Sequence, residues 1–271
     1  MELALVCMAA GISSRFGGRI KAFASVGPKG ESLIEYLLQQ ALPTGFSKIT
    51  FIVGRATENI FKEKFGEEYK SLKVQYVLQE YDKTKRDRPW GTVDAICSAL
   101  PMLNCPFVVC NGDDIYDSKD FAILVGHLRS KESEAMIGYR LGDMLSNSGG
   151  VNRGIVKTFP DGKVMEIKET FNMGRENLLG YSGDDLCSMN IFAMHPKTLE
   201  LLNLVLKDFK NKYSNDRIKE CLLPEELSKL TKEKKIIMEV YPAQGKWFGV
   251  TYLEDEAKIR EEIKKDSESF K

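Results

Sequence analysis

Apolar runs alternate with segments of helical periodicity through the first half of the chain. Four runs rich in Val, Ile, Leu and Phe predict strands, at residues 3–8, 49–53, 74–78 and 107–110. Apolar residues recurring every three or four positions predict helices between them, at residues 32–42, 57–69 and 92–100. Strands that alternate with helices need crossover connections. We therefore expect an α/β fold whose mostly parallel sheet carries helices on both faces.

The second half of the chain has more turn signals and a different order of elements. Its predicted strands are residues 135–139, 154–157, 164–167, 188–193 and 236–241. Its predicted helices are residues 196–206 and 257–264, and the polar stretch 171–185 predicts a loop. The sequence contains no internal repeat or low-complexity linker. We therefore expect a single domain over residues 1–271, with two functional halves.

Composition and charge narrow the class of protein. Hydrophobic residues make up 43% of the 271 and charged residues 29%, which suits a folded domain with a sizeable core. Lys plus Arg equals Asp plus Glu at 39 each, so we expect no general nucleic-acid or membrane-surface binding, which depends on excess cationic charge. The N-terminal apolar stretch is short and follows no basic segment, and no other stretch could span a bilayer, so a cytoplasmic protein is expected. The six scattered cysteines form no CxxC pair, which favours reduced core thiols over a zinc site or disulfides.

A loop of small residues with two cations follows the first predicted strand. Ala9, Ala10 and Gly11 let a ligand approach the backbone, and Arg15 and Lys21 bring two positive charges to the loop. Backbone N–H donors and fixed charge at the carboxyl end of a first strand suit a triphosphate. The loop is neither a Walker A loop nor a GxGxxG turn, and the alternative is a surface turn with ordinary basic residues.

This stretch resembles the signature of the sugar-phosphate nucleotidyltransferases (NDP-sugar pyrophosphorylases), which reads A-A-G-x-G-x-R, then a short loop and a Lys. Ser13 stands at the second Gly of that signature. Later positions match the family in the same order: Gln79, a G-T-x-x-A stretch from Gly91, a G-D segment ending at Asp113, Gly154, Glu169 and Asn190. The resemblance implies a three-layer, Rossmann-like fold of the GT-A type. It also implies a nucleotide-binding half over about residues 1–115 and an acceptor-binding half over about residues 116–271.

The resemblance also implies an activity, the transfer of an NMP from an NTP to a sugar 1-phosphate, or a similar small phosphorylated acceptor, with release of pyrophosphate. The catalytic residues it implies are Arg15, Lys21 and Asp113. The nucleotide-binding residues it implies are Ala9, Ala10, Gly11, Gln79, Gly91 and Thr92. The acceptor-binding residues it implies are Gly154, Glu169 and Asn190.

Two adjacent carboxylates follow the strand predicted at 107–110. Asp113 and Asp114 are oxygen donors of the kind that Mg²⁺ shares with substrate phosphates, although a turn that caps the strand is the alternative. The resemblance places the ion on Asp113, with Asp114 a weaker candidate. Gly249 stands where many family members carry a second metal-binding Asp, so phosphates, water or another carboxylate would complete the coordination. Asp117 is predicted to cap the helix that follows it.

The chemistry of such a transfer calls for positioning and charge neutralisation, because an acceptor phosphate is already ionised when it attacks the α-phosphorus in line. Arg15 is expected at the leaving phosphates and Lys21 at the reacting ones. Gln79 offers a donor and an acceptor on one amide, which matches the N3–H and carbonyl edge of uracil or thymine, and Trp90 is expected to narrow the pocket. A pyrimidine NTP is therefore favoured, with UTP or dTTP ahead of CTP.

Two other functions stay open at this point. A metal-dependent GT-A-type glycosyltransferase would use Asp113 and Asp114 but would not need the cations of the first loop. A non-catalytic, nucleotide-sensing subunit on the same fold would account for the missing second Asp.

His127 and His195 form no pair and are expected to be packed or surface residues. The basic run 83–88 predicts a solvated loop from which Arg86 or Arg88 could reach the triphosphate or a partner. The oligomeric state is left open.

Overall fold

The computed structural model of the chain describes residues 1–11, 20–146, 149–249 and 255–269. Its strands are β1 (Ala4–Ala9), β2 (Lys48–Val53), β3 (Glu68–Tyr69), β4 (Leu72–Leu78), β5 (Phe107–Asn111), β6 (Asp114–Tyr116), β7 (Glu134–Arg140), β8 (Val151–Thr158), β9 (Val164–Met173), β10 (Leu186–Met194), β11 (Met238–Pro242) and β12 (Trp247–Gly249). Its helices are α1 (Leu33–Ala41), α2 (Glu58–Phe65), α3 (Thr92–Ser98), α4 (Ser118–Ser130), α5 (Pro196–Lys212), α6 (Leu223–Lys232) and α7 (Asp255–Ser269).

One mixed sheet organises the molecule, in the order β11-β7-β10-β5-β1-β2-β4-β3. Strands β5, β1, β2 and β4 run parallel to one another, so their carboxyl ends meet at one edge of the sheet. The periodicity of the sequence does not report strand direction, and β10 lies antiparallel to both of its neighbours β5 and β7. Strands β8 and β9 extend from β10 as an antiparallel pair, and β12 pairs with β6 in a separate two-stranded sheet. The parallel block places the loops after β1, β4 and β5 side by side.

Helices cover both faces of this sheet, as the alternating pattern predicts. Alternate residues of β1 face opposite ways, with Leu5 and Cys7 in one buried cluster and Ala4 and Val6 in the other. Helices α1, α2 and α4 pack in the first cluster, and α3, α5 and α6 in the second. All six cysteines are buried and free of disulfides, as expected for core thiols. No helix in the described ranges is both long and apolar enough to cross a membrane.

One boundary prediction in the first half is wrong. The helix predicted over 57–69 ends at Phe65, because Gly66 takes a positive φ of 61° that stops it. Tyr69 then belongs to β3, which pairs with β4. The apolar side chains of α2 divide between core and surface: Phe61 and Phe65 are buried, and Ile60 is 41% exposed.

The second half contains elements that the apolar pattern did not resolve. Helix α4 was anticipated only through its cap, which is confirmed: the Asp117 carboxylate accepts a hydrogen bond of 2.8 Å from the Lys119 N–H. Helix α6 and the short strands β6 and β12 were not predicted. Strands β8 and β9 are longer than predicted, and β9 takes in residues 171–173 of the expected loop.

Arg86 joins two loops at the rim of the sheet edge and is not part of a solvated loop. Its side chain is buried and donates hydrogen bonds to the carbonyls of Arg88, Asp216 and Lys219, at 3.1, 2.6 and 2.6 Å. The guanidinium also lies 3.5 Å from the centre of the Trp90 ring. Arg86 therefore holds the two loops together, and the prediction that it could reach a triphosphate is wrong.

Arg86→Ala should therefore destabilise the fold, because it leaves several part-buried carbonyls without donors and uncovers Trp90. We expect a loss of about 3 kcal/mol in the free energy of unfolding, measured by urea denaturation. Arg88→Ala is the matched control, since Arg88 is half exposed and pairs with Glu220 at 3.2 Å on the surface. Equal stability of the two variants would contradict the structural role of Arg86.

Candidate active site

Three adjoining cavities follow the carboxyl ends of the parallel strands. The Gln79 cavity, about 590 Å³, lies at the ends of β1, β2 and β4 and includes Ala10 and Gly11. The Lys21 cavity, about 260 Å³, shares those residues and also reaches Asp113. The Glu169 cavity, about 400 Å³, adjoins it at Lys21 and Asn111 and extends along β8, β9 and β10. Together they form one cleft in which residues far apart in sequence meet.

An ion pair lies at the centre of this cleft. Lys21 Nζ donates to Asp113 Oδ2 at 2.8 Å, although 92 residues separate the two. The Lys21 side chain is only 15% exposed and that of Asp113 is 38% exposed, so the carboxylate is the more open partner. The structure thus brings together the residues predicted to be the catalytic cation and the metal ligand. Arg15, the other predicted cation, lies outside the described residues.

A glycine lets the two loops that carry this pair approach each other. Gly112 donates its N–H to the carbonyl of Met8 at 2.8 Å, where β5 leaves the sheet beside β1. A Cβ at Gly112 would lie 3.0 Å from the side chain of Ala9, which is tighter than ordinary packing allows. Small residues at both positions therefore place Asp113 directly beside the first loop.

Asp114 lines the Glu169 cavity but is more deeply buried than Asp113. Its side chain is 6% exposed, and Oδ2 accepts a 2.8 Å hydrogen bond from the Asn111 amide. Burial, and after it the charge of Asp113, raises the pKa of Asp114 to about 6, while Lys21 opposes that rise. Asp114 is thus a constrained carboxylate beside the ion pair, whereas Asp113 is accessible.

The position of the missing second Asp is filled by other groups. Gly249 in β12 pairs directly with Asp114 in β6. A side chain at residue 249 would collide with the Trp247 ring at 2.3 Å and would lie 3.0 Å from Asp114 Oδ1. A carboxylate at 249 would therefore need Trp247 to move, and Asp114 lies beside the space such a carboxylate would occupy.

Gln79 follows β4 at the shared wall of the first two cavities. Its amide Nε2 donates to the carbonyl of Gly91 at 3.2 Å and to Asp94 Oδ2 at 2.9 Å. Both hydrogens of that amide are therefore engaged within the protein, and the expected bidentate pairing with a base is wrong. Gly91 has a φ of 100° and no room for a side chain, because a Cβ would lie 2.5 Å from the carbonyl of Cys221.

Thr92 lines the cleft, whereas Trp90 packs against other side chains. Thr92 lines the Lys21 and Glu169 cavities, and its hydroxyl accepts a 2.8 Å hydrogen bond from the Leu223 N–H. Trp90 packs edge-on against Phe209 and beneath Arg86, and it is not among the residues lining the Gln79 cavity. The expectation that Trp90 narrows the pocket is therefore wrong, because its ring is used to pack two loops.

The Glu169 cavity gathers all three residues predicted to contact an acceptor. Gly154 in β8 pairs with Glu169 in β9, and a Cβ at 154 would lie 3.0 Å from the Glu169 carboxylate. Burial, and after it the charge of Glu225, raises the pKa of Glu169. Asn190 lies at a bulge in β10 with a φ of 58°, a left-handed conformation that Asn tolerates. Bulges of this kind redirect side chains beside binding sites.

The remaining polar candidates have structural partners. His127 is buried between Tyr241 and the carbonyl of Ser133, at 3.0 and 2.6 Å. His195 lies against Glu134, whose carboxylate raises the pKa of the imidazole. Both lie away from the cleft, as expected for packed or surface histidines.

A family model described as nucleotidyl transferase matches residues 18–222. The chain belongs to the nucleotidyl transferase family. A search of curated proteins gives no match to the chain. The match covers Lys21, both aspartates, Gln79 and Glu169, so the residues at the centre of the cleft lie within the matched range.

Three solved structures illustrate the fold that this nucleotidyl transferase shares with other proteins. The inositol-1-phosphate CTP transferase from T. maritima is 14% identical, with a TM-score of 0.68 and coverage of 97% of this chain and 96% of that one. A putative glucose-1-phosphate thymidylyltransferase from Bacillus anthracis is 12% identical, with a TM-score of 0.71 and coverage of 96% and 95%. A UDP-glucose pyrophosphorylase complexed with UDP-glucose is 17% identical, with a TM-score of 0.69 and coverage of 98% and 100%. These similarities establish the mixed, layered α/β fold.

The sequence reasoning missed several residues of the nucleotidyl transferase cleft. Arg153 lines the Glu169 cavity, where its guanidinium donates to the Met144 carbonyl at 2.7 Å and lies 5.7 Å from the centre of the Trp247 ring. Burial lowers the pKa of Arg153. Glu220 lines both the Lys21 and the Glu169 cavities. The signal available for Arg153 was its position next to Gly154.

The donor set at the ion pair suits Mg²⁺ bound together with substrate. No group of three or more His, Cys, Asp or Glu residues in the described part of the chain could hold a metal ion. Two adjacent carboxylates remain, Asp113 and Asp114, and Mg²⁺ is commonly bound by one or two carboxylates plus substrate phosphates and water. The residues therefore fit a shared site better than a cage built by protein alone.

Proposed function

We propose that this nucleotidyl transferase transfers an NMP from an NTP to a sugar 1-phosphate, or a similar small phosphorylated acceptor, with release of pyrophosphate. The observation that carries the proposal is the Lys21–Asp113 pair at the junction between a cavity at the first loop and Gln79 and a cavity at Glu169 and Asn190. Family membership and this single continuous cleft support two anionic substrates that meet at Lys21. Both substrates would be small molecules in the cytoplasm, and neither nucleic acid nor membrane insertion is involved.

The reaction needs the acceptor phosphate and the α-phosphorus held in line, with their charge neutralised. Lys21 would donate to the reacting phosphate oxygens, and Arg15 would bind the leaving β and γ phosphates. Phosphate bound at Lys21 gives the ammonium a new partner and leaves the exposed Asp113 carboxylate available. Asp113 would then hold Mg²⁺, which supplies Lewis-acid charge neutralisation at phosphate oxygens.

The two ends of the cleft would fix the two substrates. Ala9, Ala10 and Gly11 would carry the triphosphate, with the base near Gln79, Gly91 and Thr92. Gly154, Glu169 and Asn190 would contact the acceptor. The similar folds include an inositol-1-phosphate CTP transferase, a putative glucose-1-phosphate thymidylyltransferase and a UDP-glucose pyrophosphorylase, so proteins of this fold differ in the base they use. We propose a pyrimidine NTP, with UTP or dTTP ahead of CTP.

The experiment is a matrix of five NTPs against a panel of sugar 1-phosphates and other small phosphorylated acceptors in Mg²⁺, measured by pyrophosphate release. We expect pyrophosphate only when a matching acceptor is present. A glycosyltransferase would instead consume a nucleotide-sugar and release no pyrophosphate, and a sensing subunit would bind an NTP without turnover. Absence of acceptor-dependent pyrophosphate across the matrix would overturn the proposal.

Glu169→Gln should raise the Michaelis constant for the acceptor by about 10- to 100-fold, because a charge-assisted hydrogen bond to a hydroxyl becomes a neutral one. The Michaelis constant for the NTP should be unchanged. Glu166→Gln is a matched control on the same strand, since Glu166 pairs with Lys232 on the surface at 2.5 Å. Equal changes in both Michaelis constants would place Glu169 outside the acceptor site.

A further inference from the structure

The amide of Gln79 has a fixed orientation. Its Nε2 lies 3.2 Å from the carbonyl oxygen of Gly91 and 2.9 Å from Asp94 Oδ2. A carbonyl and a carboxylate can only accept hydrogen bonds, so the atom facing them must be the nitrogen. Reversing the amide would set Gln79 Oε1 against two acceptors in a largely buried site, since Gln79 is 8% exposed. Oε1 is the amide atom left to face the cavity.

A second residue, Lys210, holds the Asp94 carboxylate in place against Gln79. Lys210, from α5, donates to Asp94 Oδ1 at 2.5 Å, while Oδ2 accepts from Gln79. The Asp94 side chain is only 7% exposed, so it lies in a confined place between these two partners. Both carboxylate oxygens are thereby occupied, one by each neighbour. Neither Asp94 nor Lys210 lines the Gln79 or Lys21 cavity.

We propose that the Asp94–Lys210 pair locks Gln79 as a hydrogen-bond acceptor and so makes the enzyme select bases that carry an imino N–H. This inference rests on the proposed function, with the base at Gln79. Uracil and thymine present N3–H to such an acceptor, whereas cytosine presents a lone pair at N3. Among purines the same rule favours guanine, with N1–H, over adenine. Asp94 and Lys210 act as positioning residues, because they reach the base only through Gln79.

The wild-type enzyme should therefore use UTP over CTP by about 10- to 100-fold in kcat/KM, the scale of one unpaired polar contact in a buried site. A cytosine cannot be accommodated by a simple flip of the amide, because the flip costs two hydrogen bonds. A ratio near one in the wild type would overturn the lock even if pyrophosphate is released with both nucleotides.

Asp94→Asn tests the lock directly. Lys210 only donates, so it should draw the oxygen of the new Asn side chain and turn its NH₂ toward Gln79. Gln79 would then present Oε1 to that NH₂ and Nε2 to the cavity, where it can pair with N3 of cytosine. The Gly91 carbonyl still favours the original orientation, so we expect the UTP-to-CTP ratio to fall by about tenfold or more. An unchanged ratio in a folded variant would overturn the proposal.

Adding Lys210→Met to Asp94→Asn should restore much of the preference for UTP, because the Asn oxygen is free to return to Gln79. A merely structural role for the pair would not predict recovery on removing a second contact. Lys210→Met alone should lower the UTP-to-CTP ratio less than Asp94→Asn does, since the Asp94 bond to Gln79 remains while the carboxylate loses its other fixed partner. No recovery in the double variant would contradict the role of Lys210.

Controls separate this inference from the proposed function. Glu226→Gln changes a buried carboxylate that pairs with Lys229 at 2.6 Å but does not contact Gln79, so the base ratio should be unchanged. If Asp94→Asn does not fold, Gln79→Leu should raise the Michaelis constant for UTP and bring the UTP-to-CTP ratio close to one, and an unchanged ratio would overturn the proposal. A wild-type enzyme that prefers GTP over ATP and all pyrimidines supports the lock and overturns the pyrimidine proposal. No turnover with any NTP overturns the proposed function itself.

Discussion

Lys21→Ala should lower kcat by about 100-fold or more, because it removes a preorganised positive charge from the reacting phosphates. The fold should persist, since the Asp113 carboxylate that loses its partner is 38% exposed and stays solvated. The measurement is steady-state pyrophosphate release at saturating NTP and acceptor, with thermal unfolding as a check on folding.

A surface lysine supplies the matched control for Lys21. Lys62 pairs with Glu58 at 2.6 Å on α2, away from the cleft, and its side chain is half exposed. Lys62→Ala should leave kcat unchanged, because an exposed pair of this kind contributes little. Near-normal turnover of Lys21→Ala would remove Lys21 from the catalytic machinery.

Asp113→Asn should cause the second large loss, about 100-fold or more in Mg²⁺-dependent activity. Asp113 is the accessible carboxylate at the centre of the cleft, and a neutral amide is a much weaker ligand for a hard cation. Asp114→Asn should cost less, because Asp114 is only 6% exposed whereas the Asp113 side chain is 38% exposed, and Asn preserves the shape of Asp114.

Metal binding gives this comparison a readout besides activity. Mn²⁺ binding in the presence of NTP, followed by electron paramagnetic resonance, should weaken more in Asp113→Asn than in Asp114→Asn. The reverse order would make Asp114 the principal ligand. Equal, mild effects of both substitutions on binding and on rate would mean that the ion is held elsewhere.

The sequence predicted the parallel half of the fold because its signals are local. Continuous apolar runs mark β1, β2, β4 and β5, and helical periodicity marks α1 and α3. The direction of β10 was not predictable from its pattern, because an apolar strand looks the same in either direction. The predicted helix extended beyond the end of α2 because the helical periodicity of the sequence continues past Gly66. The positive φ of Gly66 is what ends the helix.

The candidate site was predictable as a set of positions but not as a set of contacts. The small-residue loop and the adjacent aspartates identified Lys21 and Asp113 separately, and their ion pair depends on tertiary packing across 92 residues. The sequence allows both the nitrogen and the oxygen of the Gln79 amide to pair with a base. The structure instead places Asp94 against that nitrogen. Register alone revealed that Gly249 faces Asp114.

The central claim is that an acceptor phosphate oxygen attacks the α-phosphorus of an NTP. It is tested most directly with a sugar 1-phosphate labelled with ¹⁸O in its phosphate group, incubated with the enzyme, Mg²⁺ and the preferred NTP, and followed by ³¹P NMR. The account predicts unlabelled pyrophosphate and a nucleotide-sugar whose bridging oxygen carries the label, visible as an isotope shift at both of its phosphorus atoms. Label in the pyrophosphate, or a nucleotide-sugar with an unlabelled bridge, would contradict it.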